Sequence, residues 1–262
     1  MLVYSGITPH SPLLLPAINK DGLHLFEQTV EAMERVSEDI YACGAESLLV
    51  ISDHNTVFDS AFSIHVSEPY AFDLSEFGTF SFDHKFYPDL KTIDYAQRML
   101  RADGMPITLT TDDALNYSDA VPLYYVQKHL PNVQLFPITF SGLSPKQHYQ
   151  FGQSLAEALH YSPKRIAVIA AGDLSHRISK ESPLGFHKDG AFFDQRIQEI
   201  VMQGNASNLL AMDEAVVENA GESIFKQLLI LYGIMDGSLL HPVIHSYEAP
   251  GHVGLLTASL TR

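Results

Sequence analysis

Three apolar, β-branched stretches of this chain each run straight into a polar turn that carries a histidine. Leu2 to Thr8 leads into Pro9-His10-Ser11-Pro12, and Ser47-Leu48-Leu49-Val50-Ile51 leads into Ser52-Asp53-His54-Asn55. Arg165-Ile166-Ala167-Val168-Ile169 leads into Ala170-Ala171-Gly172-Asp173-Leu174-Ser175-His176. Short unbroken apolar runs of this kind are the pattern of strands buried on both faces, as in a parallel sheet. Pro9 and Pro12 exclude both helix and ladder, so His10 is expected on irregular backbone just past a strand end.

Between these strands the hydrophobic period changes to that of helices. Asp21 and Gly22 open a predicted helix with Leu25, Phe26, Val30, Met33, Val36 and Ile40 inward, and Gly44 stops it. Phe58 to Phe86 shows no helical period and reads as strands and loops with His65 and His84 unassigned. Asp89 to Arg101 returns to helix with Leu90, Ile93, Ala96 and Leu100 inward, and Ile107 to Thr110 follows as a short strand. Ser118 or Asp119 is expected to cap a helix through Val126, with Pro122 in its first turn. Val133 to Thr139 is a strand in which Pro137 marks an edge or a bulge. Pro145 to His160 is an amphipathic helix with His148 and His160 solvated. Further helices are expected over Ala191 to Met202, Ala206 to Met212 and the apolar run from Ile224 to Ile234, before closing strands over Pro242 to Tyr247 and Val253 to Leu260. With no repeat and no linker, the pattern is that of a single α/β domain over residues 1–262.

In α/β sheets ligands collect outside the carboxyl ends of the strands. One histidine at a strand end is ordinarily a hydrogen-bonded structural residue, and an acid such as Glu222, ahead of a helix, ordinarily favours the helix dipole. His10, His54 and His176 at the same topological position are a stronger coincidence. Two imidazoles and one carboxylate leave the opposite side of a metal open, which suits non-haem iron(II) and dioxygen. A third imidazole, off the metal, would serve as acid–base group. The spacing is long-range and matches no short metal motif, so by itself it leaves the structural reading open.

Composition narrows the partners. The chain is 46% hydrophobic and 18% charged, as expected of a globular protein with a substantial core. Its 31 acidic against 16 basic side chains give a net charge of −15, which argues against nucleic acid or an anionic membrane as partner. Cys43 is the only cysteine, so no intrachain disulfide or zinc–thiolate cluster forms, and the cytoplasm is the expected compartment. Neither a signal peptide nor a membrane anchor is read at the N-terminus.

Thr8-Pro9-His10-Ser11-Pro12, Ser52-Asp53-His54, Gly172-Asp173-Leu174-Ser175-His176 and Ala220-Gly221-Glu222-Ser223 occur in the order seen in class III extradiol ring-cleavage dioxygenases. The chain resembles their catalytic, LigB-like subunits over nearly its whole length. It looks closest to the branch related to Memo proteins and to partners of AMMECR-type domains. The resemblance implies a three-layer α/β/α sandwich around a central mixed sheet, with His10, His54 and Glu222 holding the metal and His176 as active-site base. Iron(II) is the implied cofactor, with zinc(II) or manganese(II) as alternatives. Asp53 and Asp173 are read as residues that orient the imidazoles or the loop amides. Where relatives carry a histidine shortly before Val121-Pro122-Leu123, the match here is Tyr117, a phenol that donates a hydrogen bond but is not readily charged near neutral pH. The expected activity is opening of a catechol-like aromatic diol with O2. A homo-oligomer, a small accessory subunit or an AMMECR-type protein are the expected partners. A Memo-like scaffold without catalysis and a zinc-dependent hydrolase, in which the same ligands activate water, are the rival readings.

Overall fold

Both faces of the central strands are covered, which is why their sequences read as unbroken apolar runs. The computed structural model describes residues 1–53, 56–78, 82, 84–111 and 114–261. The strands are β1 (Leu2–Thr8), β2 (Ser47–Ser52), β3 (Phe62–His65), β4 (Tyr87–Pro88), β5 (Ile107–Thr110), β6 (Gln134–Thr139), β7 (Ile166–Ala171), β8 (His241–Glu248) and β9 (Leu255–Thr261). Among the described residues they form one mixed sheet in the order β5-β3-β6-β2-β7-β1-β9-β8, with β4 also paired to β6. The inner strands β6, β2, β7 and β1 are parallel, whereas β9 runs antiparallel to β1 and β3 antiparallel to β6.

Successive side chains of a strand point to opposite faces, and the core divides accordingly. Leu48 and Val50 of β2, with Ala167 and Ile169 of β7, pack in one cluster with Val36, Ile40, Leu123 and Val126. These come from α1 (Glu27–Ala42) and α3 (Tyr117–Val126). Leu49 and Ile51, with Ile166 and Val168, face the other layer, built from α2 (Leu90–Ala102), α4 (Pro145–His160), α5 (Lys188–Gln203) and α8 (Phe225–Ile234). Two short helices, α6 (Ala206–Leu210) and α7 (Glu214–Ala220), precede α8. The result is a sheet between two helical layers. In the parallel register Thr8 lies beside Ala171, Ile51 beside Ala170 and Ser52 beside Thr139, so four strands end on one rim.

Where α4 crosses α8, Gly152 and Gly233 meet without side chains between them. A Cβ on Gly152 would overlap the Ile230 carbonyl and one on Gly233 the Tyr149 carbonyl. Gly233→Ala is therefore expected to cost about 1–3 kcal/mol, as overpacking does. Thermal unfolding should show it as a fall in Tm of roughly 2–4 °C per kcal/mol.

Several local expectations are corrected. Pro137 lies on an inner strand and not at an edge; β4 pairs with residues 134–135 of β6 and β3 with residues 138–139, so on that side the proline falls in the gap between two ladders. The cap of α3 is Asn116, whose side chain accepts the Ser118 amide, which leaves Pro122 in the body of the helix. His148 is fully buried instead of solvated: its Nδ1 is 2.9 Å from the Ser144 carbonyl and its Nε2 accepts the Ser141 amide. Burial pushes its pKa down to about 4. Leu25 and Leu90, expected inward, are exposed, because Leu25 falls in a 3-10 turn before α1 and Leu90 opens α2 on its outer side.

Candidate functional site

Gly172 makes the site possible. A Cβ there would overlap the Ser223 carbonyl and come within 2.9 Å of Ile224 Cα, so only glycine lets the end of β7 touch the segment before α8. Across that contact the Asp173 amide donates to Ser223 Oγ at 3.0 Å, and the Ser223 amide returns a bond to the Asp173 carbonyl at 3.0 Å. Asp173 in turn accepts the His10 amide on Oδ1 at 2.9 Å, tying the end of β1 to the end of β7.

The His10 ring is 2% exposed and held on two sides. Its Nε2 lies 3.0 Å from Ser223 Oγ, and its edge meets the Tyr117 ring at 5.5 Å between centroids. Ser223 Oγ already accepts the Asp173 amide and sits 3.4 Å from the Asp173 carbonyl, to which its hydroxyl points. With Nε2 donating to Ser223 Oγ, the lone pair of the ring falls on Nδ1. That Nδ1 is 3.6 Å from Asp53 Oδ1, and both atoms are sealed from solvent without a hydrogen-bond partner among the described residues. A lone pair facing a carboxylate in a buried space is unfavourable unless positive charge lies between or beside them.

The surroundings add to that demand. Glu222 accepts the Ile224 and Phe225 amides on Oε2 at 2.5 and 2.6 Å, so its carboxylate is turned into the protein over the first turn of α8. Burial pushes its pKa up to about 7, against those two amides and Lys226, and Asp53 pushes it further. Tyr117 is pushed up to about 12 by burial and then by the charges of Asp53 and Asp173. Asp119, fully buried and accepting a bond from Ser52 Oγ at 3.0 Å, is driven well above the carboxylate range by burial, with Asp53 adding to it. Lys226 is a cation acting on Glu222; its Nζ donates to the Ser141 carbonyl at 2.9 Å and lies 4.9 Å over the Phe140 ring. Glu222 and Lys226 also line a cavity of about 670 Å³ with Phe225, Leu143, Val217 and Glu218.

The structure thus brings His10, Asp53, Asp173 and Tyr117 into contact, with Glu222 one residue from Ser223. His54 lies outside the described residues. His176 shares no hydrogen bond or ring contact with His10, Tyr117 or Glu222 among the described residues. It is joined to them by backbone, since its amide donates to the carbonyl of Ala220, two residues before Glu222. Its Nδ1 is sealed from solvent and has no hydrogen-bond partner among the described residues. Among the described residues no three His, Cys, Asp or Glu side chains stand ready-clustered for a metal. The His10 and Asp53 atoms without a hydrogen-bond partner among the described residues, with the Glu222 carboxylate nearby, nevertheless fit a divalent cation, which would favour the ionised carboxylates. His252, which follows Gly251 on the approach to β9, is exposed, takes a left-handed φ of 60° and bonds Ser179 through Nδ1 at 3.0 Å.

Sequence reasoning gave no role to Ser223, Lys226 or Asp194 and read Asp119 only as a candidate helix cap. Lys226 was legible as a cation four residues after Glu222; the others depend on tertiary contacts. Asp194, on α5, is 1% exposed and accepts the Ser175 amide and the Tyr247 hydroxyl, each at 2.8 Å. Burial pushes its pKa up to about 7. Folding therefore takes up a proton at Asp194 between the ordinary carboxylate range and about pH 7, and the stability it contributes is present in acid and lost as pH rises through that window. Urea unfolding from pH 5 to 8 should show wild type losing stability relative to Asp194→Asn at up to about 1.4 kcal/mol per pH unit, with the difference levelling above pH 7. Parallel curves would contradict it.

Residues 5–257 match the family described as the catalytic LigB subunit of aromatic ring-opening dioxygenase. Protein CA_C1420 of Clostridium acetobutylicum is 25% identical over 259 residues, which are 95% of this chain and 55% of that protein. The chain thus spans about half the length of the curated relative it matches. The crystal structure of the uncharacterized protein JW3007 from Escherichia coli K12 superposes with a TM-score of 0.67 at 14% identity, covering 98% of this chain and 99% of that one, a likeness of fold. No helix among the described residues is long and apolar enough to cross a membrane.

Proposed function

Because the chain belongs to the family of catalytic LigB subunits of aromatic ring-opening dioxygenases, we propose that it opens the ring of a catechol-like diol with O2 at a non-haem metal. The observation that carries this reading is the close approach of His10 Nδ1 and Asp53 Oδ1, 3.6 Å apart, each sealed from solvent and without a hydrogen-bond partner among the described residues, near the buried Glu222 carboxylate. His10, His54 and Glu222 would hold the ion, iron(II) first and manganese(II) or zinc(II) after it. A redox-active ion held by these residues would supply the electron path between ring and dioxygen that side chains lack.

The remaining roles belong to the chain itself. His176 takes and holds a hydroxyl proton of the diol. An imidazole is the side chain best matched to such a transfer near neutral pH. Tyr117 keeps its proton at neutral pH, since burial and two aspartates push its pKa up to about 12, and so acts there as a hydrogen-bond donor. Asp173 and Ser223 fix the His10 ring from its Nε2 side. The cavity of about 670 Å³ that Glu222 shares with Leu143, Val217 and Phe225 opens on the carboxylate side of the site; His10, Tyr117 and His176 are not among its lining residues. A small accessory subunit or AMMECR-type partner belongs to the same proposal, in keeping with a relative nearly twice as long as the matched segment.

Anaerobic purification followed by metal analysis and oxygen uptake on a catechol panel tests the proposal. Iron with uptake and a yellow ring-fission product is the expected result. Tightly held zinc without uptake would replace it by the hydrolase, and failure to bind any of the three metals by the scaffold.

A further inference from the structure

Every backbone donor of the loop that carries His176 has an acceptor. The Gly172 amide donates to the Thr8 carbonyl, that of Asp173 to Ser223 Oγ, that of Leu174 to the Gly254 carbonyl and that of His176 to the Ala220 carbonyl. The Arg177 amide donates to Ser175 Oγ, whose hydroxyl donates to the same Ala220 carbonyl at 2.8 Å. The Ser175 amide alone goes to an ionisable side chain, Asp194 Oδ1, at 2.8 Å. The far oxygen of that carboxylate is held by the Tyr247 hydroxyl from β8 at 2.8 Å. Gly254 leaves the room for this: a Cβ there would overlap Asp194 Oδ2. The Gly254 amide returns a bond to the Ser175 carbonyl at 3.1 Å, so residues 174 and 175 are clamped from behind by α5, β8 and the turn into β9.

We infer that Asp194 and Tyr247 are a positioning pair for His176, fixing the loop backbone one residue before the ring while Ala220 fixes it relative to Glu222. This rests on the reading of His176 as the acid–base group. The pair touches neither metal nor substrate, and its effect travels through Ser175. Buried behind the loop, a carboxylate gripped by a phenol on one oxygen and an amide on the other has one arrangement. The loop it holds has correspondingly little freedom.

The test compares Asp194→Leu, which removes both acceptors at similar size, with Asp194→Asn, which keeps an acceptor for the Ser175 amide. In the metal-loaded full chain, Asp194→Leu is expected to lower kcat about 10- to 100-fold with KM and metal content within about twofold of wild type, and Asp194→Asn to restore kcat to within a few fold. Amide hydrogen exchange at Ser175 and His176 should quicken in the leucine variant and not in the asparagine one. Unchanged kcat and unchanged exchange in Asp194→Leu would overturn the inference, as would an asparagine variant as impaired as the leucine. If wild type turns over no diol, the proposed function fails, and the exchange measurement alone decides whether the loop is held in this way. Should the leucine variant not fold, Tyr247→Phe decides, with an expected fall in kcat of about 3- to 10-fold and faster Ser175 exchange; no change in either would overturn it.

Discussion

Glu222→Gln is expected to lower the affinity for iron(II) by more than about 100-fold, exceeding what loss of an outer-shell partner does. The reason is that this substitution separates the two things the side chain does. Its Oε2 accepts the Ile224 and Phe225 amides, and a glutamine oxygen keeps that contact, so the start of α8 stays capped. What is lost is the negative charge and the second anionic oxygen. Metal titration followed by calorimetry reads the affinity, while the far-ultraviolet circular dichroism of the metal-free protein should be unchanged. A glutamine variant that binds iron as tightly as wild type would remove Glu222 from the ligand set.

His176→Ala is expected to keep its metal and lose turnover by about 10²- to 10⁴-fold, the range carried by a positioned acid–base group. The fold should tolerate the change. The loop is held by backbone bonds at residues 172–177, and the imidazole Nδ1 contributes none among the described residues. Metal content measured beside single-turnover oxygen consumption separates the two roles. Loss of metal together with activity would make His176 a ligand, and retained turnover would give the proton transfer to another group.

The sheet was legible because its strands are buried on both faces, and a continuous apolar run has few other uses. Their polar ends were equally plain, and the register of β1, β2 and β7 brings those ends to one rim. Elements whose form is decided by neighbours were harder. Pro137 is tolerated on an inner strand only because two different partners leave a gap beside it. His148 reads as a solvated helical residue until the turn from β6 into α4 closes over it. The short helix α7, capped by Asp213, has too few turns to show a period. At the site, residue types and strand ends pointed to His10, Asp53, Asp173 and Glu222. Ser223, Asp119 and Asp194 carry no signal in their spacing, since each gains its meaning from a partner 50, 67 or 19 residues away.

The central claim is that His10, His54 and Glu222 share one ion while His176 stands off it. Anomalous diffraction at the iron edge, from crystals grown anaerobically with iron(II), tests this most directly. The expected result is a single peak at about 2.0–2.2 Å from an imidazole nitrogen of His10 and of His54 and from a carboxylate oxygen of Glu222, with the His176 ring outside that shell. A peak elsewhere, or one ligated by His176 in place of any of the three, would contradict the account.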